Sequence, residues 1–347
     1  MLAVRTLVAL VVVLVVTACA PAASAPPAGS PGSPAAPPSG DLTIYSGRSE
    51  ELVGPLIERF EQATGIAVEV NYASTTDLAA TLLEEGEATP ADVFFSQDAG
   101  ALGALAAEGR LAALPQSVLD RVEARFRSPD GHWVGVSGRA RVAAYDSRVL
   151  SEEDLPDTIL EFTEPEWRGK IGWAPSNASL QSFVTALRVL EGDITARDWL
   201  DGIQANEPRV YEGNSQALEG VAAGEVQVAL INHYYLLQAL AEQGEEYPVR
   251  NHFFPGGDPG ALVNVAGAGI LSTSKNADRA RTFVEFLLND ESQRYFAEET
   301  FEYPLVPGVP ADERLIPLAE IDSPDIDLSD LADLEGTLEM MQEAGVL

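Results

Sequence analysis

A recurring junction constrains this chain more than any other feature: a short apolar run, a polar turn, then a helical pattern. The turns fall at residues 46–50, 96–98, 176–179, 213–215 and 232–235. The runs before them, such as 42–45, 91–95 and 226–231, are strand-like. After the first turn Leu52, Val53, Leu56, Ile57 and Phe60 recur at helical spacing, and Gly65 supplies a stop. Strands alternating with helices imply open, mostly parallel sheets in an α/β protein. Such sheets bind ligands beyond the carboxyl ends of their strands, where these turns lie. Helix N-termini there present free N–H groups and a partial positive charge, and so attract anions.

The pattern sets further expectations. Pro55 conflicts with an early helix start and predicts an irregular first turn. Residues 133–136 and 140–145 read as two β-like runs separated by Ser137-Gly138-Arg139. Residues 328–344 read as one acidic helix. At the last junction Asn232 reads as a helix N-cap, with His233, Tyr234 and Tyr235 in the first turn.

Two chemistries converge on these turns. Asn177, Asn214 and Asn232 each suit a helix cap, yet three of them in one half of the chain suggest a pocket of amide donors for a small anion. Beside them stand two phenols, Tyr234 and Tyr235. A tyrosine pair is commonly packing, with an apolar ring and a polar tip. The alternative is metal ligation. A hard, highly charged cation prefers oxygen ligands and would favour the phenolate, whose ordinary pKa is about 10. Ferric iron fits best, with the anion filling further coordination positions. His132 and His252 lack an HExxH-type partner, Gly169-Lys170 lacks the rest of a phosphate-binding loop, and no GxSxG nucleophile motif is present. These observations argue against an enzyme.

The 347 residues carry a formal net charge of −33, which argues against a nucleic-acid partner. Arg5 and the apolar run 7–16, too short to span a bilayer, form a secretory signal. Val16-Thr17-Ala18-Cys19 follows and resembles the bacterial lipoprotein box, implying cleavage of residues 1–18 and lipidation of Cys19, the only cysteine. Residues 19–40, almost wholly Pro, Ala, Gly and Ser after the cysteine, read as a tether. The expected location is the extracytoplasmic face of the cell membrane, in a periplasm or on an outer surface.

Seven segments in order, LTIYSGRSE, PADVFFSQ, VSGRARVAAYD, PEWRGKIGWAPSNAS, VYEGNSQALEGVAAGE, LINHYY and DPGALV, resemble the ferric-iron-binding proteins of bacterial ABC importers. The resemblance implies a two-lobed periplasmic binding protein fold of type II, each lobe a mixed sheet flanked by helices, with a ligand cleft between them. The lobes are expected at 41–138 with 262–310, and 139–261 with 311–347. It further implies a monomer that closes on Fe³⁺, free or chelated, and delivers it to a membrane permease. Tyr234 and Tyr235 match the family's paired tyrosine ligands. Asn177, Ala178, Ser179, Asn214 and Asn232 match positions holding a synergistic anion, phosphate or carbonate-like, and Arg139 or Arg141 matches an arginine near it. Two positions depart from the pattern: Ser49 and Gln97 stand where one subgroup has His and Glu ligands. Glu50, where another subgroup has a tyrosine, is then the candidate carboxylate of the amino-terminal lobe, and Gln97 a weaker candidate. The competing readings are a cleft for another small anion or organic ligand, and a surface hydrolase.

Overall fold

The computed structural model describes residues 41–347; Cys19, the signal at 1–18 and the tether at 19–40 lie outside the described residues. The chain opens with β1 (Leu42–Ser46), α1 (Glu50–Thr64), β2 (Val68–Tyr72), α2 (Thr75–Glu85), β3 (Val93–Ser96) and α3 (Ala99–Ala107). After the short α4 (Gln116–Leu119) comes the long β4 (Val134–Asp146). Then follow β5 (Ile171–Trp173), α5 (Ala178–Glu191), α6 (Asp193–Ala205), β6 (Arg209–Val210), α7 (Asn214–Ala222), β7 (Val228–Asn232) and α8 (Tyr234–Gln243). The chain ends with β8 (Val249–His252), β9 (Val263–Ile270), α9 (Ala277–Leu287), α10 (Asp290–Glu298), β10 (Tyr303–Pro304) and α11 (Leu334–Glu343).

Strand order is β2-β1-β3-β9-β4-β7-β5-β6, with β8 and β10 also paired to β4. The β1–β2, β1–β3, β5–β6 and β5–β7 pairs are parallel, as the junctions require, while every pairing of β4 and β9 is antiparallel. β4 joins two sheet halves. Residues 134–140 pair with β9, and residues 141–146 pair with β7 and β8. The two runs expected at 133–136 and 140–145 are therefore one strand, kinked by a register shift between Gly135 and Ser137.

Each half has an aromatic core. Phe60 meets Phe283 and Phe286 edge-on at 5.1 and 5.3 Å, and Trp199 meets Phe183 and Trp173 at 5.2 and 6.2 Å. Such edge contacts contribute about 0.5–1.5 kcal/mol each beyond burial. The end of the chain touches both cores. Leu328 and Leu331 pack into the first and Met341 into the second, and the acidic helix expected at 328–344 breaks at Asp333, the cap of α11.

Three helix starts differ from expectation. At α7 the N-cap is Gly213, and Asn214 is the first helical residue with no capping bond. α1 runs unbroken from Glu50 with Pro55 inside it. At the β7–α8 junction the N-cap position belongs to His233, and Asn232 is the last strand residue, opposite Arg141. The reason is the imidazole: His233 Nδ1 lies 3.1 Å from the Ala140 amide and Nε2 lies 3.0 Å from the Phe301 carbonyl. One ring nitrogen pins the junction to β4 and the other to the segment between α10 and β10, and burial pushes the His233 pKa down to about 4.

Candidate ligand-binding cleft

The carboxyl ends of the parallel strands in the two sheet halves face one cavity of about 670 Å³. One wall comes from the β1–α1 and β3–α3 turns and the end of β2, supplying Arg48, Ser49, Glu50, Tyr72 and Gln97. The other comes from the starts of α5, α7 and α8, supplying Asn177, Asn214, Tyr234 and Tyr235.

Tyr234 and Tyr235 are adjacent in sequence, yet their rings stack, with centroids 4.2 Å apart and planes 28° from parallel. Tyr234 is 1% exposed. Among the described residues the hydroxyls of Tyr234, Tyr235 and Tyr72 in the cleft have no hydrogen-bond partner, as is true of buried Tyr247 outside it, whereas Tyr45, Tyr211, Tyr295 and Tyr303 each donate to a carboxylate or carbonyl. A buried phenol without a partner in the protein is poised for one from outside it. Burial pushes the Tyr234 pKa well above its ordinary value, and the neighbouring Tyr235 adds to this, while Arg48 and Arg139 oppose it. The phenol is neutral until a stronger positive charge arrives.

Beside the phenols lies a compact amide and hydroxyl cluster. Asn177 caps α5, its Oδ1 accepting from the Ser179 amide at 3.0 Å and the Ser179 hydroxyl at 2.6 Å. Asn214, the first residue of α7, directs Nδ2 toward Asn177 Oδ1 at 3.4 Å and Ser179 Oγ at 3.3 Å. Arg141 approaches Ser179 Oγ at 3.4 Å and also donates to the Leu230 carbonyl. Among the described residues Arg141 forms no ion pair, and burial pushes its pKa down to about 9. Asn214 Oδ1 and Asn232 Nδ2 are buried without partners. A buried guanidinium without a counter-charge, with donors around it, is chemically suited to an anion.

Most of the residues singled out in the sequence meet here. Tyr234, Tyr235, Glu50, Gln97, Asn177 and Asn214 line the cavity, and Ser179 is bonded to its lining. Ala178 borders an adjoining cavity with Gln97 and Asn177. Asn232 and Arg139 lie behind the lining. Arg139 is 1% exposed, its three guanidinium nitrogens have no hydrogen-bond partner, and its Nε is 3.9 Å from Glu302. Arg141, rather than Arg139, is the arginine that reaches the amide cluster. Gln97 spans the cleft, donating to Asn177 Oδ1 at 3.3 Å. Thr76 to Gln181 at 2.8 Å and Ser182 to Asp98 at 2.7 Å cross in the same way.

Sequence reasoning missed the Arg48–Glu302 pair, 2.8 Å apart with both side chains buried, which also takes in Ser137 at 2.9 Å. The partners are 254 residues apart in the chain, and no local pattern joins them. It also missed Tyr72, Gln238, Glu242 and Glu299 on the cavity wall. Among the described residues no group of three His, Cys, Asp or Glu side chains could hold a metal, so a metal in this cleft would depend on phenols.

A mixed α/β architecture with an open cleft at the strand ends of two sheet halves defines a binding protein that encloses its ligand between lobes. The family model of bacterial extracellular solute-binding proteins matches residues 55–320. The chain is 36% identical over 313 residues to the major ferric iron-binding protein of Neisseria meningitidis, covering 89% of this chain and 94% of that one. Iron-bound HitA from Pseudomonas aeruginosa is 36% identical with a TM-score of 0.84, over 88% of this chain and 99% of that one. The Trichodesmium protein solved with iron and citrate ligands is 30% identical with a TM-score of 0.75, over 88% and 99%. The chain belongs to the bacterial extracellular solute-binding protein family, and its relatives of this kind are ferric iron-binding proteins with the two-lobed type II fold. It is a solute-binding protein and not an enzyme.

Proposed function

We propose that this protein is the extracytoplasmic, lipid-anchored subunit of an ABC importer. It binds Fe³⁺ together with a small anion and passes the metal to the membrane permease. The observation that carries this reading is the stacked Tyr234–Tyr235 pair, its hydroxyls unpartnered, beside the Asn177–Ser179–Asn214 cluster. A trivalent ion lowers the cost of phenolate formation, and both phenol protons leave as it binds. Loading is therefore favoured as pH rises. Phosphate, or a carbonate-like anion, occupies the amide cluster, with Arg141 behind it, and completes the shell. Ala178 and Asn232 shape that site, and Arg139 holds positive charge beneath the phenols. Glu50 is the carboxylate of the opposite wall closest in kind to a ferric ligand, and Gln97 closes the cleft across Asn177.

The amino-terminal lobe takes in residues 41–138 and 262–310 and the other 139–261, while residues 311–347, expected with the second lobe, pack against both cores. Cys19 is lipidated, and residues 20–40 tether a monomeric body to the membrane. Among the described residues no helix is long and apolar enough to cross a membrane.

The test is to load purified protein from ferric acetohydroxamate with phosphate present. The expected result is an orange to red colour from tyrosinate–iron charge transfer and a raised melting temperature. Colourless protein that Fe³⁺ does not stabilise would refute the reading.

A further inference from the structure

The cavity wall carries its exposed charge with one sign. Glu50 and Glu51 open α1, Glu242 stands near the end of α8 and Glu299 follows α10, all exposed to solvent. The one arginine in the lining, Arg48, is buried and paired with Glu302. The carboxylates surround a pocket already marked as a ligand site by Tyr234, nine-tenths buried and more, whose hydroxyl faces the cavity without a protein partner. Tyr72 on the same wall has its pKa pushed up to about 12, chiefly by burial, with Glu50 of the mouth and Glu58 outside it adding to the rise.

The cavity of about 670 Å³ leaves room for more than a bare metal ion. Charge restricts what enters it. Like charges at the mouth lower the encounter rate of an anion and raise that of a cation, over a screening distance of about 8 Å at physiological salt.

We propose that the carboxylate mouth formed by Glu50, Glu51, Glu242 and Glu299 sets the form in which ferric iron enters this cleft. Cationic and neutral ferric species are admitted, and polyanionic carboxylate chelates are held off. The inference rests on the ferric reading above.

The experiment follows colour development by stopped flow in the full chain, with neutral ferric tris(acetohydroxamate) and anionic ferric citrate as donors. Each is run at low and high sodium chloride, and in wild type against Glu51→Gln/Glu242→Gln/Glu299→Gln. These side chains are exposed, so the amides leave the fold intact, and the melting temperature checks this. In wild type, citrate loading speeds up with salt while hydroxamate loading is indifferent to it. The triple variant loads from citrate about tenfold faster, and its salt response flattens. Citrate loading that slows with salt, or that the variant leaves unchanged, overturns the inference and leaves the ferric reading standing. Failure of wild type to colour with either donor overturns both.

Discussion

The two walls of the cleft are built differently. The wall from α5, α7 and α8 is a finished site: a buried phenol stacked on its neighbour, a capped helix start, and amides bonded to one another before any ligand arrives. The wall from α1 and the β3–α3 turn presents solvated carboxylates and a glutamine that reaches across to Asn177. On the proposed reading, recognition is concentrated where side chains are already held. The opposite wall contributes closure and most of the charge of the entrance, to which Glu242 of α8 adds from the tyrosine side.

The sharpest way to break this contrast is to substitute each wall separately. Tyr234→Phe with Tyr235→Phe is expected to weaken iron binding by at least about 10³-fold, roughly 4 kcal/mol, in a competition titration, with loss of colour. Glu50→Gln or Gln97→Ala is expected to cost no more than about tenfold each. If the Glu50 substitution proves as damaging as the tyrosine pair, the walls share the metal equally and the contrast fails.

Next in size is the charge beneath the cleft floor. Glu302→Gln leaves Arg48 and Arg139 buried without their shared carboxylate, and the expected loss is about 3–5 kcal/mol of stability in urea unfolding. A variant as stable as wild type would mean that the two arginines are not held by Glu302.

Asn177→Ala with Asn214→Ala is expected to remove the dependence of iron affinity on phosphate, lowering affinity about tenfold at saturating phosphate and little without it. Equal losses at every phosphate level would place the anion elsewhere.

The smallest effect concerns a contact between the walls. Asp98 accepts from Ser182 at 2.7 Å, and its other oxygen is buried without a partner. Burial raises its pKa, opposed by the Ser182 hydrogen bond and the Ala101 amide. For an acid whose folded pKa exceeds its unfolded value, the native state binds the extra proton. The associated stability is full below the unfolded pKa and is lost as pH rises through the folded one. Asp98→Asn keeps the cap and is expected to raise the melting temperature by a few degrees at neutral pH, with the gain shrinking as pH falls. A gain that grows with acidity would reverse the assignment.

How much of this was readable in the sequence follows from range. The strand–turn–helix junctions, the cap at Asn177 and the tyrosine pair are local patterns, and each appears where the pattern puts it. Asn232 was misplaced because the imidazole that fixes its junction bonds to Ala140 and Phe301, both far away in the chain. β4 read as two runs because Ser137-Gly138-Arg139 looks like a turn, whereas pairing with β9 and β10 keeps it extended. β8 was not seen at all, since VRNH has no apolar alternation and is a strand only because β4 offers it an edge. The Arg48–Glu302–Arg139 cluster needed the fold itself.

The most direct test of the central claim, that the tyrosine wall holds the metal, is resonance Raman spectroscopy of the iron-loaded protein, excited in its visible band. The account predicts one iron per chain and tyrosinate modes that halve in Tyr235→Phe and vanish when Tyr234→Phe is added. Iron bound at full stoichiometry without tyrosinate modes would contradict it.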